Sequence, residues 1–360
     1  MNASKAAQGS PFYVGTYTEP GKSKGIYACS LNVESGDLTL HSLVAEVPNP
    51  TWVTFSPNGK FLYSTQKVQD CAIRAFRVES DGSLTALNSE SSKGNAGCHL
   101  LVDATGKNIL TANYSSGSVD VVRLEEDGSL GKRTAFIKLT GAGPDPIRQT
   151  QSYAHGVFED LENARVYVCD LGSDCIWIYN FDSEKGTLTP NTPPAGQVVP
   201  GSGPRHLARH STGKFFYVNG EMGINITVFE CRPTDGGLKS IQVLSTLPEG
   251  TSGTGVTSAG VCLHPGERWL YVSNRGHDSI TVYAVQKDGR LKWVENVSAQ
   301  VKGPRGFAIH SSGKWLVVAG QYDDTLTTLQ IDPLSGKLSP TGKSLKIYSP
   351  VCIAFSSNPE

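Results

Sequence analysis

The sequence predicts an all-β protein, a seven-bladed β-propeller in which each blade is a sheet of four antiparallel strands. Three observations predict it: a Gly-x-Leu hairpin that occurs seven times, a β-rich run before each hairpin, and complementary strands at the two chain ends. Four strands in roughly 40 to 50 residues are typical of a propeller blade. We expect pairing between the N- and C-terminal strands to close the ring, which removes an exposed sheet edge.

Each hairpin is marked by an alternating strand that runs into a glycine turn. Segments such as VESDGSL and LEEDGSL end in Gly-x-Leu, and apolar and polar residues alternate before the turn, as in SITVYAV. Glycine adopts a positive φ at little cost, so the pattern indicates two antiparallel strands joined by a turn. The seven glycines are Gly36, Gly82, Gly128, Gly186, Gly236, Gly289 and Gly336.

A second strand precedes each hairpin, and one position in it is usually a tyrosine. Runs such as FYVGTY and LYVSNR repeat this position at intervals of 46 to 57 residues, which accounts for the whole chain. We expect the recurring tyrosines to serve the packing of the blades. The column consists of Tyr13, Tyr63, Leu110, Tyr167, Tyr217, Tyr271 and Val317.

A third type of strand explains the two ends of the chain. It leads into turns such as SPNGK and HSSGK, and its last copy, VCIAF at 351–355, has no second strand after it. The first copy of the second strand, at Phe12, has no such strand before it. We therefore predict one propeller domain over residues 12–356, after a disordered tail at 1–11. Two β-sandwiches, the alternative architecture, do not explain this permutation.

Composition and charge exclude several functional classes. The 360 residues include 32 Lys and Arg against 33 Asp and Glu, so no electrostatic argument favours nucleic acid or a membrane as the partner. No stretch approaches the roughly 20 apolar residues of a membrane span, and the N-terminus lacks the apolar run of a secretory signal. The eight cysteines show no CxxC pair and no zinc spacing. We expect reduced thiols, a cytoplasmic location, no cofactor or metal, and a monomer or weak homo-oligomer.

Two columns of the repeat vary in a way that predicts a binding site. One lies at the start of the innermost strand and the other follows the second strand, so antiparallel pairing places both at one mouth of the central channel. The first column is Thr51, Cys98, His155, Arg205, Ser258, Arg305 and Val351. The second column is Tyr17, Lys67, Tyr114, Leu171, Glu221, Arg275 and Gln321.

The side chains in these columns favour an anionic small molecule as ligand. Several cations, one imidazole and one carboxylate converge in a nearly neutral protein, and arginine grips carboxylates and phosphates in a bidentate manner. The loop GAGPDPIRQTQSY adds Arg148, and Asn113 lies one residue before the second column. Three histidines beside turns are interpreted instead as structural: His210, His264 and His310.

Three segments resemble the seven-bladed lactonase family, which contains propeller-type 6-phosphogluconolactonases and carboxymuconate lactonising enzymes. They are GPRHLARHSTGKFFYVNGE at 203–221, LYVSNRGHDSITVY at 270–283 and GPRGFAIHSSGKWLVVAGQ at 303–321. The resemblance extends over about residues 12–355. It implies a catalytic set of His155 in AHGVF, Arg205 in GPRH, Glu221 in VNGE and Arg275 in SNR. GPRGF and the Gly320–Gln321 pair resemble the phosphogluconolactonase branch more closely than the lactonising branch.

The resemblance and the cationic mouth together predict hydrolysis of 6-phospho-D-glucono-1,5-lactone to 6-phosphogluconate. Arg205 and Arg275 would stabilise the oxyanion or hold the anionic group, and either His155 or Glu221 would accept the proton of the attacking water. No G-x-S-x-G motif indicates an acyl-enzyme. Two alternatives stay open: a carboxymuconate cycloisomerase and a non-catalytic interaction propeller. The expected substrate-binding residues are Arg305, Arg148, Gln321, Lys67, Asn113 and His206.

Overall fold

The computed structural model describes residues 9–18, 22–68 and 71–356, which form 28 β-strands. The first fourteen strands are β1 (Ser10–Thr16), β2 (Gly25–Leu31), β3 (Leu38–Glu46), β4 (Val53–Phe55), β5 (Phe61–Gln66), β6 (Ala72–Val78), β7 (Leu84–Ser91), β8 (Gly97–Val102), β9 (Asn108–Asn113), β10 (Ser118–Leu124), β11 (Leu130–Lys138), β12 (Ala154–Glu159), β13 (Arg165–Asp170) and β14 (Cys175–Asp182). The others are β15 (Thr187–Gln197), β16 (Pro204–Arg209), β17 (Phe215–Gly220), β18 (Asn225–Cys231), β19 (Leu238–Ser245), β20 (Thr257–Leu263), β21 (Trp269–Arg275), β22 (Ser279–Val285), β23 (Leu291–Ser298), β24 (Pro304–Ile309), β25 (Trp315–Gly320), β26 (Thr325–Ile331), β27 (Leu338–Lys346) and β28 (Pro350–Phe355).

The strands form seven antiparallel sheets of four strands each, which confirms the predicted propeller. From the channel outwards, blade 1 is β28-β1-β2-β3, and blades 2 to 7 follow the chain from β4-β5-β6-β7 to β24-β25-β26-β27. The ring is closed as expected, because β1 pairs with β28 and Phe12 lies opposite Phe355. Strand β1 begins at Ser10, two residues before the predicted domain start. Residues 1–8 of the predicted tail lie outside the described part of the chain.

The core lies between neighbouring blades. Where blades 5 and 6 face each other, Tyr217, Ile226 and Val228 pack with Leu270 and Val272, and all five are fully buried. Central strands such as β17 and β21 are almost entirely buried, whereas outer strands such as β3 and β19 carry many exposed residues. No helix among the described residues is long and apolar enough to cross a membrane.

Hydrogen bonds from the tyrosine column join one blade to the next. The hydroxyl of Tyr217 in blade 5 donates to the carbonyl of Gly289 in the hairpin of blade 6, at 3.1 Å. Tyr13, Tyr63, Tyr167 and Tyr271 make the same bond to the Gly-x-Leu hairpin of the following blade. All seven hairpin glycines have positive φ, between 67° and 84°. The tyrosine column and the Gly-x-Leu hairpins therefore contact each other at the blade interfaces.

Where the column lacks a tyrosine, another side chain takes over the bond. Thr134 donates to the Gly186 carbonyl at 2.7 Å, and Thr328 donates to the Gly36 carbonyl at 3.0 Å. The second of these bonds links blade 7 to blade 1, beside the closure made by the chain ends. Each of the seven hairpins thus accepts a hydrogen bond from the preceding blade.

Tyr217→Phe is expected to lower the free energy of unfolding by about 1 to 2 kcal/mol, because the substitution leaves the Gly289 carbonyl without its buried donor. Urea unfolding followed by circular dichroism measures this change. Tyr348→Phe is the matched control, since that ring is 52% exposed. Equal stability of the two variants would show that the inter-blade bond contributes nothing.

Candidate active site at the channel mouth

The innermost strands place their first residues in the channel through a repeated β-bulge. In β16, Pro204 pairs with Gly220 and His206 pairs with Asn219, so Arg205 is the extra residue. Cys98 in β8, His155 in β12 and Arg305 in β24 are extra in the same way. A bulge bends the strand and re-aims its side chain. Most residues of the first column, though not Thr51 or Ser258, are therefore bulged residues.

These residues and the loops after the second strands surround a cavity of about 310 Å³. Every blade or the loop that enters it supplies at least one side chain. Four are cations and one is a carboxylate, so the lining carries a marked excess of positive charge. The lining consists of Tyr17, Lys67, Cys98, Tyr114, Arg148, His155, Glu221, Thr257, Arg275 and Arg305.

Glu221 is the centre of an ion-pair network on one side of the cavity. Its Oε1 accepts a hydrogen bond from Arg148 Nη2 at 2.7 Å. Its Oε2 accepts one from Arg205 Nε at 3.0 Å and lies 3.1 Å from Arg275 Nη2. The Nε2 atom of His155 lies 3.6 Å from the same oxygen. Three guanidinium groups thus share one buried carboxylate.

The three guanidinium groups keep Glu221 ionised. Burial alone would raise the pKa of this carboxyl, but Arg275, Arg205 and the hydrogen bond from Arg148 hold the pKa well below its ordinary value. The low pKa makes Glu221 a weak proton acceptor. Its geometry suits it to hold the arginines in place and to stabilise a neighbouring positive charge.

His155 is held as a neutral imidazole. Burial lowers its pKa well below the ordinary value, and the charge of Arg205 lowers that pKa further. Its Nδ1 atom lies 3.8 Å from Cys98 Sγ, and its ring meets the edge of Tyr114 at 5.3 Å between centroids. Burial raises the pKa of the Cys98 thiol to about 11, which disfavours this thiol as a nucleophile. The neutral ring can accept a proton, whereas both oxygens of Glu221 already accept hydrogen bonds from arginines.

Lys67, Arg305 and Tyr17 form a second group in the cavity, from blades 2, 7 and 1. Lys67 Nζ donates to Tyr17 Oη at 3.2 Å and lies 5.5 Å from the ring centroid. The guanidinium of Arg305 lies 5.6 Å from the same ring. Among the described residues, neither cation forms a salt bridge. This group therefore differs from the Glu221 network, since no described carboxylate pairs with either of its cations.

An aromatic cluster lies one residue further along the innermost strands. Trp52 packs on His99 at 4.1 Å between ring centroids, and His206 contacts His99 at 5.3 Å and His155 at 5.4 Å. Phe158 also packs against His99. Burial and Arg205 lower the pKa of His99 to about 3 and that of His206 well below its ordinary value. These imidazoles are therefore neutral side chains of the channel.

We expect the free energy of unfolding to fall as the pH drops below about 6.5, the ordinary pKa of histidine. The folded-state pKa of His99 is depressed, so the unfolded chain binds more protons and stability rises with pH between these two pKa values. His99→Phe removes one titrating group. The slope of the unfolding free energy against pH should therefore fall by up to about 1.4 kcal/mol per pH unit. Denaturant unfolding of both proteins between pH 5 and 7.5 measures the difference. Parallel curves over that range would contradict the buried neutral state.

The structure brings together most of the residues expected at the site. His155, Glu221, Arg275, Arg148, Arg305 and Lys67 line the cavity. Arg205 and His206 lie behind this lining, where an Arg205 Nη1 atom is 3.1 Å from a His206 ring nitrogen. His210, His264 and His310 bond to residues of the turns, as the sequence analysis expected.

Asn113 and Gln321 do not line the cavity. The amide of Asn113 is fully buried, where it accepts a bond from Ser92 and donates to Asp120 at 2.5 Å. This fixed network leaves Asn113 no contact with a ligand. Gln321 stands in the second column but is not part of the lining, and its Oε1 atom is buried without a hydrogen-bond partner among the described residues.

Sequence reasoning did not single out four residues of the lining: Tyr17, Tyr114, Cys98 and Thr257. The first three stand in the two variable columns, so their position was the available signal. Their side chains are uncharged, and only charged groups and imidazoles indicated a binding site in the sequence. Among the described residues, no group of three His, Cys, Asp or Glu side chains could hold a metal ion.

Comparison with known proteins concerns the family and the fold of the chain. Residues 11–355 match the family described as "Lactonase, 7-bladed beta-propeller". The chain is 36% identical over 348 residues to a 6-phosphogluconolactonase of Bacillus subtilis, covering 95% of this chain and 97% of that protein. A 6-phosphogluconolactonase of Formosa agariphila is 31% identical and covers 93% of this chain and 96% of its own length.

A solved structure gives the same picture at the level of the fold. The Pseudomonas aeruginosa periplasmic gluconolactonase PpgL superposes with a TM-score of 0.92 at 28% identity, over 97% of this chain and 99% of that one. A match over almost the whole length leaves no blade of the propeller unaccounted for. The chain therefore belongs to the family of seven-bladed β-propeller lactonases.

Proposed function

We propose that this protein hydrolyses 6-phospho-D-glucono-1,5-lactone to 6-phosphogluconate. The observation that carries the proposal is a mouth cavity in which four cations, one carboxylate and one neutral imidazole meet. A phosphorylated lactone presents an anionic group for the cations and an ester carbonyl for the imidazole. The names of the relatives in Bacillus subtilis and Formosa agariphila support the same substrate.

The reaction begins with attack of a water molecule on the lactone carbonyl. Neutral His155 accepts a proton from this water, and negative charge develops on the carbonyl oxygen. Arg275 lines the cavity and stabilises that charge. Collapse of the tetrahedral intermediate breaks the bond to the ring oxygen, and the imidazolium returns the proton to the leaving alkoxide. One water is consumed and one carboxylic acid is formed.

Glu221 stabilises the imidazolium that forms during this cycle. The present 3.6 Å between His155 Nε2 and Glu221 Oε2 is longer than a hydrogen bond, and protonation of the ring would draw the two groups together. Arg205 is a positioning residue, because it lies behind the cavity and holds Glu221 through its Nε atom.

An assay with purified protein tests the proposal. Proton release from freshly prepared 6-phosphogluconolactone is followed at neutral pH and corrected for spontaneous hydrolysis. We expect a clear acceleration by the protein, and its absence would overturn the proposal. Turnover of carboxymuconolactone alone would favour the cycloisomerase alternative, whereas no turnover of either lactone would favour a non-catalytic propeller.

We also propose that the protein acts in the cytoplasm. All eight cysteines are free and seven are buried, as in proteins of reducing compartments. Fractionation of cells that express the full chain tests this location. The predicted monomer or weak homo-oligomer is checked by size-exclusion chromatography with light scattering.

A further inference from the structure

The cavity has two sides with different charge. Arg148, His155, Glu221 and Arg275 belong to blades 4 to 6 and to the loop that enters blade 4, and Glu221 neutralises part of the charge there. Arg305, Tyr17 and Lys67 belong to blades 7, 1 and 2, which are neighbours because the ring closes at blade 1. In a ring of seven, blade 1 stands nearly opposite blade 5. Tyr17 of blade 1 therefore lies nearly opposite Glu221 of blade 5, whereas Arg305 of blade 7 adjoins Arg275 of blade 6.

The phenol of Tyr17 lies in the positive field of Arg305 and Lys67. Burial by itself would raise the pKa of this phenol, yet Arg305 and Lys67 lower it below the ordinary value. The hydroxyl already accepts a hydrogen bond from Lys67, so its own proton is free to be donated. Two cations and one phenol donor are thus arranged around the same part of the cavity.

We propose that Arg305, Lys67 and Tyr17 form the phosphate subsite of the cavity. The inference rests on the proposed function, since it assigns one end of the same substrate. A phosphate dianion matches the two charges of Arg305 and Lys67, and the forked guanidinium can donate two bonds to its oxygens. Tyr17 supplies a further donor.

The Glu221 side is unsuited to the phosphate. A dianion there would meet the ionised carboxylate of Glu221, whose repulsion offsets the attraction of the arginines that it already binds. The less polar lactone ring avoids this cost. Phosphate binding at blades 7, 1 and 2 therefore directs the lactone carbonyl towards His155 in blade 4.

This assignment makes Arg305 and Lys67 determinants of specificity for the phosphorylated substrate. A charge-assisted hydrogen bond lost from a partly buried site corresponds to roughly a 10- to 100-fold loss of affinity. The effect should fall on ligands that carry the phosphate and spare those that lack it. Comparing 6-phosphogluconate with gluconate isolates this group, because the two ligands differ at no other position.

The experiment is calorimetric titration of 6-phosphogluconate and gluconate into the wild-type protein and three variants, Lys67→Met, Arg305→Met and Tyr17→Phe. We expect the affinity ratio of the two ligands to fall at least about tenfold in each methionine variant and a few-fold in Tyr17→Phe. The ratio is taken within one sample, so a partly unfolded variant affects both ligands equally. Lys302→Met is the matched control: this exposed lysine lies just before β24 and outside the cavity lining, and its ratio should stay at the wild-type value.

The outcomes separate this proposal from the proposed function. An unchanged ratio in both methionine variants, or a wild-type protein that binds neither ligand, overturns the subsite. If the ratio falls as expected but the wild-type protein hydrolyses no lactone, the subsite stands and the catalytic proposal fails. If hydrolysis is observed and the ratio does not move, only the subsite is wrong. An equal fall in Lys302→Met would also overturn it, because general surface charge would then explain the effect.

Discussion

Glu221→Gln is expected to lower the free energy of unfolding by about 3 kcal/mol and kcat/KM for the lactone by about 100-fold or more. The substitution keeps the shape of the side chain and removes its charge. Arg205, only 3% exposed, would then be buried with no carboxylate partner among the described residues. Arg148 and Arg275 would lose the same partner, and the imidazolium of His155 would lose its stabilising charge.

Urea unfolding and the lactone assay measure the two effects. Glu46→Gln is the matched control, because its ion pair with Lys24 is exposed, with 70% of the Glu46 side chain accessible. Exposed pairs of this kind contribute at most about 1 kcal/mol. Wild-type stability in Glu221→Gln would contradict the central place of this carboxylate in the network.

The Glu221 contribution also has a defined direction with pH. Its folded-state pKa lies below the ordinary value, so the unfolded chain takes up its proton first as the pH falls. The stabilisation is present above about pH 4.5 and is lost as the pH falls towards the folded-state pKa. Glu221→Gln should lack this component, so wild-type and variant stabilities should converge in acid.

His155→Asn is expected to lower kcat by roughly 100- to 10,000-fold, the usual contribution of a positioned acid or base. Asparagine keeps a polar side chain in the cavity but accepts no proton at neutral pH. The Glu221 network stays intact, because the arginines make its strong bonds. KM should therefore change much less than kcat.

Steady-state kinetics on 6-phosphogluconolactone measure this split, and His264→Asn is the control. The Nε2 atom of His264 donates to the Gly313 carbonyl, in a turn outside the cavity lining. A full rate in His155→Asn would exclude this imidazole as the proton acceptor. The pH profile adds a second readout: because the pKa of His155 is lowered, kcat/KM in the wild-type protein should stay level through neutral pH and decline only in acid.

More of the fold than of the site could be predicted from the sequence. Seven Gly-x-Leu turns and the complementary chain ends gave the number of blades and the closure, because turn conformation and strand alternation are local properties of the chain. The partners of the tyrosine column were not predicted, since Tyr217 and Gly289 are 72 residues apart. Such contacts arise only when one blade packs on the next.

The site shows the same division between local and distant information. The two columns converge on the cavity, yet Asn113 and Gln321 do not line it, while Tyr17 and Tyr114 do. The difference depends on the bulges and on which polar partners compete for each side chain. Asn113 hydrogen-bonds to Ser92 and Asp120, and the repeat pattern does not predict these bonds.

By itself, the sequence determined the seven-bladed ring, its closure and the end of the channel where charged groups collect. The tertiary structure alone decided how that charge is divided: three arginines from separate elements neutralise Glu221, whereas Lys67 and Arg305 share Tyr17. Arg148 reaches Glu221 across 73 residues of chain. Strand period and turn chemistry act over a few residues, but ion pairing and burial depend on distances in space, which only the closed ring fixes.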